Sequence, residues 1–130
     1  MENAVVLLYN AAPERREAIA GLAQGLGIRL KAVEPSEYGE SLGALCGLEA
    51  PKGRQADGEP FADEVMLLAF LTQEQFHAFL DGFRARGIRG VPLKAMLTPT
   101  NAAWDSFRLH ADLRAEYEAF LRMNRKQGGA

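Results

Sequence analysis

The feature that most constrains this chain is a pattern that occurs twice, sixty positions apart. Val5, Leu7, Leu8, Glu14 and Ala18 recur as Val65, Leu67, Leu68, Glu74 and Ala78, and Gly27-Ile28-Arg29 recurs as Gly87-Ile88-Arg89. Leu30-Lys31-Ala32 returns as Leu93-Lys94-Ala95 after three extra residues, Gly90-Val91-Pro92. Single matches among glycines and apolar residues mean little, but a register shared through three successive elements points to an internal duplication.

Each copy reads as β–α–β. Ala4-Val5-Val6-Leu7-Leu8 is a continuous apolar run, as a strand buried on both faces requires. Pro13 fits a first helical position, and Glu14 follows where the helix dipole favours an acid. Ala18, Ile19, Leu22 and Leu26 form one stripe, and Gly27 ends the helix because glycine takes the left-handed cap conformation without steric cost. Ile28 to Val33 alternates apolar and basic residues, a strand with one wet face. In the second copy Glu64 to Phe70 is the strand, Thr72 caps, and Phe76, Phe79, Leu80 and Phe83 are the stripe.

These readings predict one α/β domain over residues 1–123, with halves 4–34 and 64–97, a link 35–63, a C-terminal helix 100–123 and a flexible basic tail 124–130. The link holds a short helix, Ser41 to Cys46, and an exposed, mobile polar loop, Glu49 to Pro60. The order βαββαβ plus a helix predicts a ferredoxin-like sheet, with an open parallel α/β sheet as the second reading. A link this long is awkward for the ferredoxin-like arrangement, whose halves are usually joined by a hairpin. On the last helix Trp104, Phe107 and Ala111 gather on one side and Leu109, Leu113, Tyr117 and Phe120 on nearly the opposite one. Two apolar sides predict a homodimer through the second set, or a helix that crosses two parts of its own core.

A chain of 130 residues, 48% apolar, can bury a sizeable core without metal or disulfide. Its net charge of −2 provides no long-range attraction for nucleic acid or anionic lipid. The aliphatic strand runs also lack the exposed aromatics of an RNA-binding sheet. The first apolar run is far shorter than the ~18 residues of a membrane span, and Met1-Glu2-Asn3 carries no basic segment. A lone cysteine, Cys46, suits a reducing compartment, so the expected location is cytoplasmic.

Chemistry-bearing residues are few. Gly39-Glu40-Ser41-Leu42-Gly43 spells a nucleophile elbow, but no buried strand precedes it. His77 and His110 stand on different helices without partners at ligand spacing, so no metal site is expected. Cys46 reads as a buried thiol, and the acid pairs Asp63-Glu64 and Glu14 with Glu17 as structural. No catalytic set and no cofactor are expected. The segment Lys94 to Trp104 is the exception: Lys94, Thr98, Thr100 and Asn101 at a helix N-terminus are candidates for a phosphate or carboxylate ligand, or for plain capping.

Val5-Val6-Leu7-Leu8-Tyr9-Asn10, Tyr38-Gly39 with Leu42-Gly43-Ala44-Leu45, and Leu93-Lys94-Ala95-Met96-Leu97-Thr98-Pro99-Thr100-Asn101 with Trp104 resemble a bacterial family, domain of unknown function 3783, over Val5 to Tyr117. The resemblance implies no activity; it marks Tyr38, Lys94, Thr98, Thr100, Asn101 and Trp104 as candidate ligand-binding positions. The expected function is a non-catalytic small-molecule-binding or protein-interaction module, with a small enzyme or an anion site at the last helix as the second reading.

Overall fold

In the computed structural model, which describes residues 3–128, the apolar runs form two strands, β1 (Val5–Tyr9) and β3 (Val65–Ala69), and every residue in both is buried. The remaining elements are α1 (Pro13–Gly25), β2 (Arg29–Ala32), α2 (Leu42–Leu45), α3 (Gln73–Ala85), β4 (Leu93–Met96) and α4 (Ser106–Gly128), with 3₁₀ turns at Pro35–Glu37 and Asn101–Ala103. The four strands make one sheet in the order β2-β1-β3-β4.

The fold class is α/β, built from two β–α–β units whose first strands and helices keep the sixty-residue spacing, while β4 follows β2 by sixty-four residues. Both strands β1 and β3 have five residues, and both helices α1 and α3 have thirteen. The backbone turns left-handed at Asn10 and Phe70 after the strands, and at Gly27 and Gly87 after the helices. Strands β1 and β3 pair antiparallel with Leu7 opposite Leu67, Val5 opposite Ala69 and Tyr9 opposite Val65. That register is symmetric about Leu7–Leu67, so an approximate two-fold axis passes through this pair. On the helices above it the equivalent positions Leu22 and Gly82 meet, and a Cβ on Gly82 would sit 2.4 Å from Leu22 Cδ1. A two-fold contact between equivalent positions leaves room for one large side chain, not two.

The strand order departs from the ferredoxin-like expectation. That arrangement splits each β–α–β unit by placing a strand of the other between its two strands. Here β2 lies beside β1 and β4 beside β3, both parallel, so each unit stays whole. The antiparallel β1–β3 contact equally excludes the open all-parallel sheet. The cause lies in the link: the chain leaves edge strand β2 and must pass over β1 to reach β3, which a hairpin cannot do.

The link therefore becomes a layer. One face of the sheet packs Val6, Leu8, Met66 and Leu68 against α1 and α3 through Ile19, Leu22, Ala23, Phe79 and Phe83. The other packs Leu7, Tyr9, Leu67 and Leu93 against Tyr38, Leu42, Leu45 and Cys46 of the link and Leu109 and Leu113 of α4. Ala23 is buried on α1, whereas Ala18, expected in its stripe, is exposed. Residues 49–60 are mostly exposed, as expected, but they are tied down: the Glu40 carboxylate accepts from the backbone N–H groups of Lys52, Gly53 and Arg54 at 3.0, 2.7 and 3.1 Å. Gly39 lies beneath, where a Cβ would come within 2.3 Å of the Gln55 carbonyl oxygen.

Three further expectations are corrected. Lys31 and Lys94 are not equivalent: Val5 pairs with Arg29 and Val65 with Leu93, so Lys31 stands opposite Leu7 and Lys94 opposite Met66. This one-residue slip puts the lysines on opposite faces and turns Leu93 and Ala95 toward α4. The last helix starts at Ser106 instead of Thr100 and runs through residues 124–128, expected as tail; 129–130, like Met1-Glu2, lie outside the described residues. The apolar set assigned to a second copy is mostly this chain's own core: Leu109 and Leu113 are buried, Tyr117 packs against them, and Phe120 alone of the four is exposed. Both sides of α4 are covered because the link folds over the same sheet face, with Gly58 and Tyr38 against Phe107.

Candidate functional site

The segment singled out by sequence does not form one site. Asn101 is buried and closes a turn on itself: its Oδ1 accepts from Thr98 N–H at 2.8 Å, its N–H donates to Thr98 Oγ1 at 3.1 Å, and its Nδ2 donates to the Met96 carbonyl at 2.9 Å. Thr100 is exposed and makes no side-chain cap. Trp104 is extended and partly buried, its carbonyl accepts from Leu42 N–H, and the Arg108 guanidinium stands 4.6 Å from its ring. Lys94 is exposed on edge strand β4, four residues and thus roughly 13 Å of extended chain from Thr98. With Asn101 capping the Met96 carbonyl, it guards an open sheet edge.

At the start of α4 most of the backbone donors are already used. Ser106 N–H donates to the Tyr38 carbonyl at 3.1 Å, and Arg108 and Leu109 N–H donate to the side chain and carbonyl of Asp105 at 2.9 and 3.2 Å. Asp105 is thus the cap, and it puts a carboxylate where an anion was expected. The Tyr38 carbonyl is thus at this helix end, while its ring is fully buried in a column: Phe61 stacks on it at 4.6 Å, and His110 stacks on Phe61 at 4.1 Å. Its hydroxyl makes no hydrogen bond among the described residues, and burial raises it above the ordinary tyrosine range despite the Asn10 side chain beside it. Asn10 has no donor to spare, because Nδ2 already serves the Phe61 and Asp63 carbonyls.

The elbow-like serine is a cap too: Ser41 Oγ accepts from Ala44 N–H at 3.1 Å and donates to Glu49 Oε1 at 2.6 Å. Burial pushes the Cys46 thiol up to about 11, against a smaller opposite effect of Arg29, which leaves it protonated and inert near neutrality. Among the described residues no group of three or more His, Cys, Asp or Glu is placed to hold a metal ion. No described helix is long and apolar enough to cross a membrane.

What the fold does bring together is a cleft of about 480 Å³ at the end of the sheet where β1 stops and β3 and β4 begin. Asn10 and Arg15 line it from the first half, Asp63 and Glu64 from the end of the link, Arg89 and Pro92 from the approach to β4, and Arg114 and Tyr117 from α4. The Arg15 guanidinium forks onto Glu64, with Nε at 2.7 Å from Oε2 and Nη2 at 2.7 Å from Oε1, and Nη2 also donates to the Gly90 carbonyl at 3.1 Å. Its hydrogen bond to Glu64 holds Arg15 above the ordinary arginine value, so it stays charged. Asp63 Oδ2 lies 2.7 Å from His110 Nε2, and an ionised carboxylate can only accept, which puts a hydrogen on Nε2. Arg89 forms no ion pair among the described residues.

Residues 64–120 match the family described as Domain of unknown function (DUF3783). The resemblance is thereby shown for β3, α3, β4 and most of α4, a narrower span than Val5 to Tyr117. No curated protein and no solved structure matches the chain. The DUF3783 segment supplies Glu64, Arg89, Arg114 and Tyr117 to the cleft, whereas Asn10, Arg15 and Asp63 precede it.

Sequence reasoning missed Arg15, Arg89 and Arg114 because they come from three separate elements with no local motif. One signal was within reach: the second half has Phe70 and Gln75 where the first has Asn10 and Arg15, and the repeat breaks where the cleft forms.

Proposed function

We propose that this chain is a non-catalytic binding module whose cleft takes a small anionic ligand. The observation that carries this is the convergence of three guanidiniums, Arg15, Arg89 and Arg114, on one cavity of about 480 Å³, a size ordinary for small-molecule sites. Arginine presents a planar set of donors suited to carboxylate or phosphate. Arg15 is held by Glu64, which leaves Arg89 and Arg114 as the groups that meet the ligand. Titration calorimetry with small carboxylates and inorganic phosphate tests this. Binding that weakens by roughly tenfold or more in both Arg89→Ala and Arg114→Ala is expected. Equal affinity in the variants, or no heat with any anion, removes the reading.

A second reading, the homodimer, is supported by the end of α4, where Phe120, Leu121 and Met123 are exposed together beyond the residues that touch the core. Light scattering of the purified protein, with Phe120→Glu as comparison, tests it; a monomer at high micromolar concentration counts against it. Origin of the two halves by duplication, and a cytoplasmic setting suited to an unpaired Cys46, complete the proposal. The small-enzyme reading and the anion site at the last helix have less support, because Asp105 and Tyr38 occupy that helix end.

A further inference from the structure

The cleft carries charges of both signs, and their existing bonds decide which remain for a ligand. Glu64 gives both oxygens to Arg15. Asp63 gives only Oδ2, to His110; among the described residues nothing donates to its Oδ1, and its side chain is 43% exposed. Arg114 is held loosely, 4.0 Å from Asp63 and 3.3 Å from Glu118, and Arg89 forms no ion pair among the described residues. One carboxylate oxygen and two sets of guanidinium donors are therefore open in a single cavity.

Resting on the anion-binding reading above, we infer that the ligand is a zwitterion of the α-amino-acid class. Its carboxylate sits on Arg89 and Arg114, its ammonium on Asp63 Oδ1, and its side chain lies against Pro92, Leu93 and Tyr117. A simple anion would leave Asp63 Oδ1 facing it without a donor, because His110 and Arg114 both stand on the Oδ2 side. A simple cation would meet two guanidiniums, that of Arg89, which has no ion pair among the described residues, and that of Arg114, which is only loosely held. A zwitterion satisfies both signs with charge-assisted hydrogen bonds, about twice as strong as neutral ones.

The test compares amino acids with their deaminated counterparts on the whole chain, alanine against propionate and glutamate against glutarate, by titration calorimetry. The amino acid of a pair is expected to bind roughly tenfold tighter or more. Asp63→Asn, which keeps the side-chain shape, is expected to abolish that difference while the deaminated acid still binds. Equal or weaker binding of the amino acids overturns the inference and leaves the anion reading standing. Binding by none of them overturns the inference, and if inorganic phosphate gives no heat either the anion reading falls with it. The comparison on the unaltered chain decides the matter even if Asp63→Asn fails to fold.

Discussion

The two ends of the sheet have the same backbone and opposite characters. At one end β1 stops in left-handed Asn10, and at the other β3 stops in left-handed Phe70. Asparagine tolerates that conformation and uses its amide to hold the Phe61 and Asp63 carbonyls, fixing one wall of the cleft. Phenylalanine is strained there, and its ring is retained by packing on the core. Five residues on, Arg15 reaches across to Glu64, whereas Gln75 reaches its own helix cap and the Leu26 carbonyl. A repeated backbone thus sets two equivalent places, and side chains make one a charged cleft and give the other a ring packed on the core.

The strongest test of this equivalence is at the axis itself. Leu7→Ala and Leu67→Ala should each cost about 2–5 kcal/mol in urea unfolding. The double variant should fall short of their sum, because the two positions are paired. Unequal single effects would break the comparison. At the two ends, Arg15→Ala should cost about 1.5–3 kcal/mol by leaving Glu64 partly buried without its partner, and Gln75→Ala about 0.5–1.5 kcal/mol. Equal losses would mean that the charged end is no more than a second cap.

Where the helices meet, Gly82→Ala should lose about 1 kcal/mol, because crowding of Leu22 exceeds the helix-propensity gain; adding Leu22→Ala should recover that crowding loss. The smallest effect concerns the two slipped lysines. Lys31 pairs with Glu37 at 2.9 Å, and Lys94 has no such partner among the described residues. Burial alone would raise the Glu37 carboxyl, but the Glu34 N–H and Lys31 outweigh it and hold it below its ordinary value. A depressed folded value means the stabilisation is present above the unfolded carboxyl range and lost as pH falls through the folded one. Glu37→Gln should therefore flatten the acid limb of the stability curve by a few tenths of a kcal/mol, as for exposed pairs.

Much of this was legible along the chain. The strand runs, the Thr72 cap, the glycine ends of α1 and α3 and the buried Cys46 are local consequences of residue type. The matched Lys31 and Lys94 misled, because letters alone do not reveal a strand slip of one residue. Asn101 misled because its side chain closes a turn where a helix start was expected, and the actual cap, Asp105, stands one turn later. The cleft was not legible, since Arg15, Glu64, Arg89 and Arg114 meet only after both crossovers are made.

By itself the order of residues determined two β–α–β units, their common spacing and the burial of β1 and β3 on both faces. Such properties follow from side-chain periodicity and backbone preference within some thirty residues of chain. The strand order, the layer made by the link, the interior position of Leu109 and Leu113, and the cleft were decided by tertiary packing. Each depends on which surfaces cover one another, and that is settled by contacts between segments far apart in the chain.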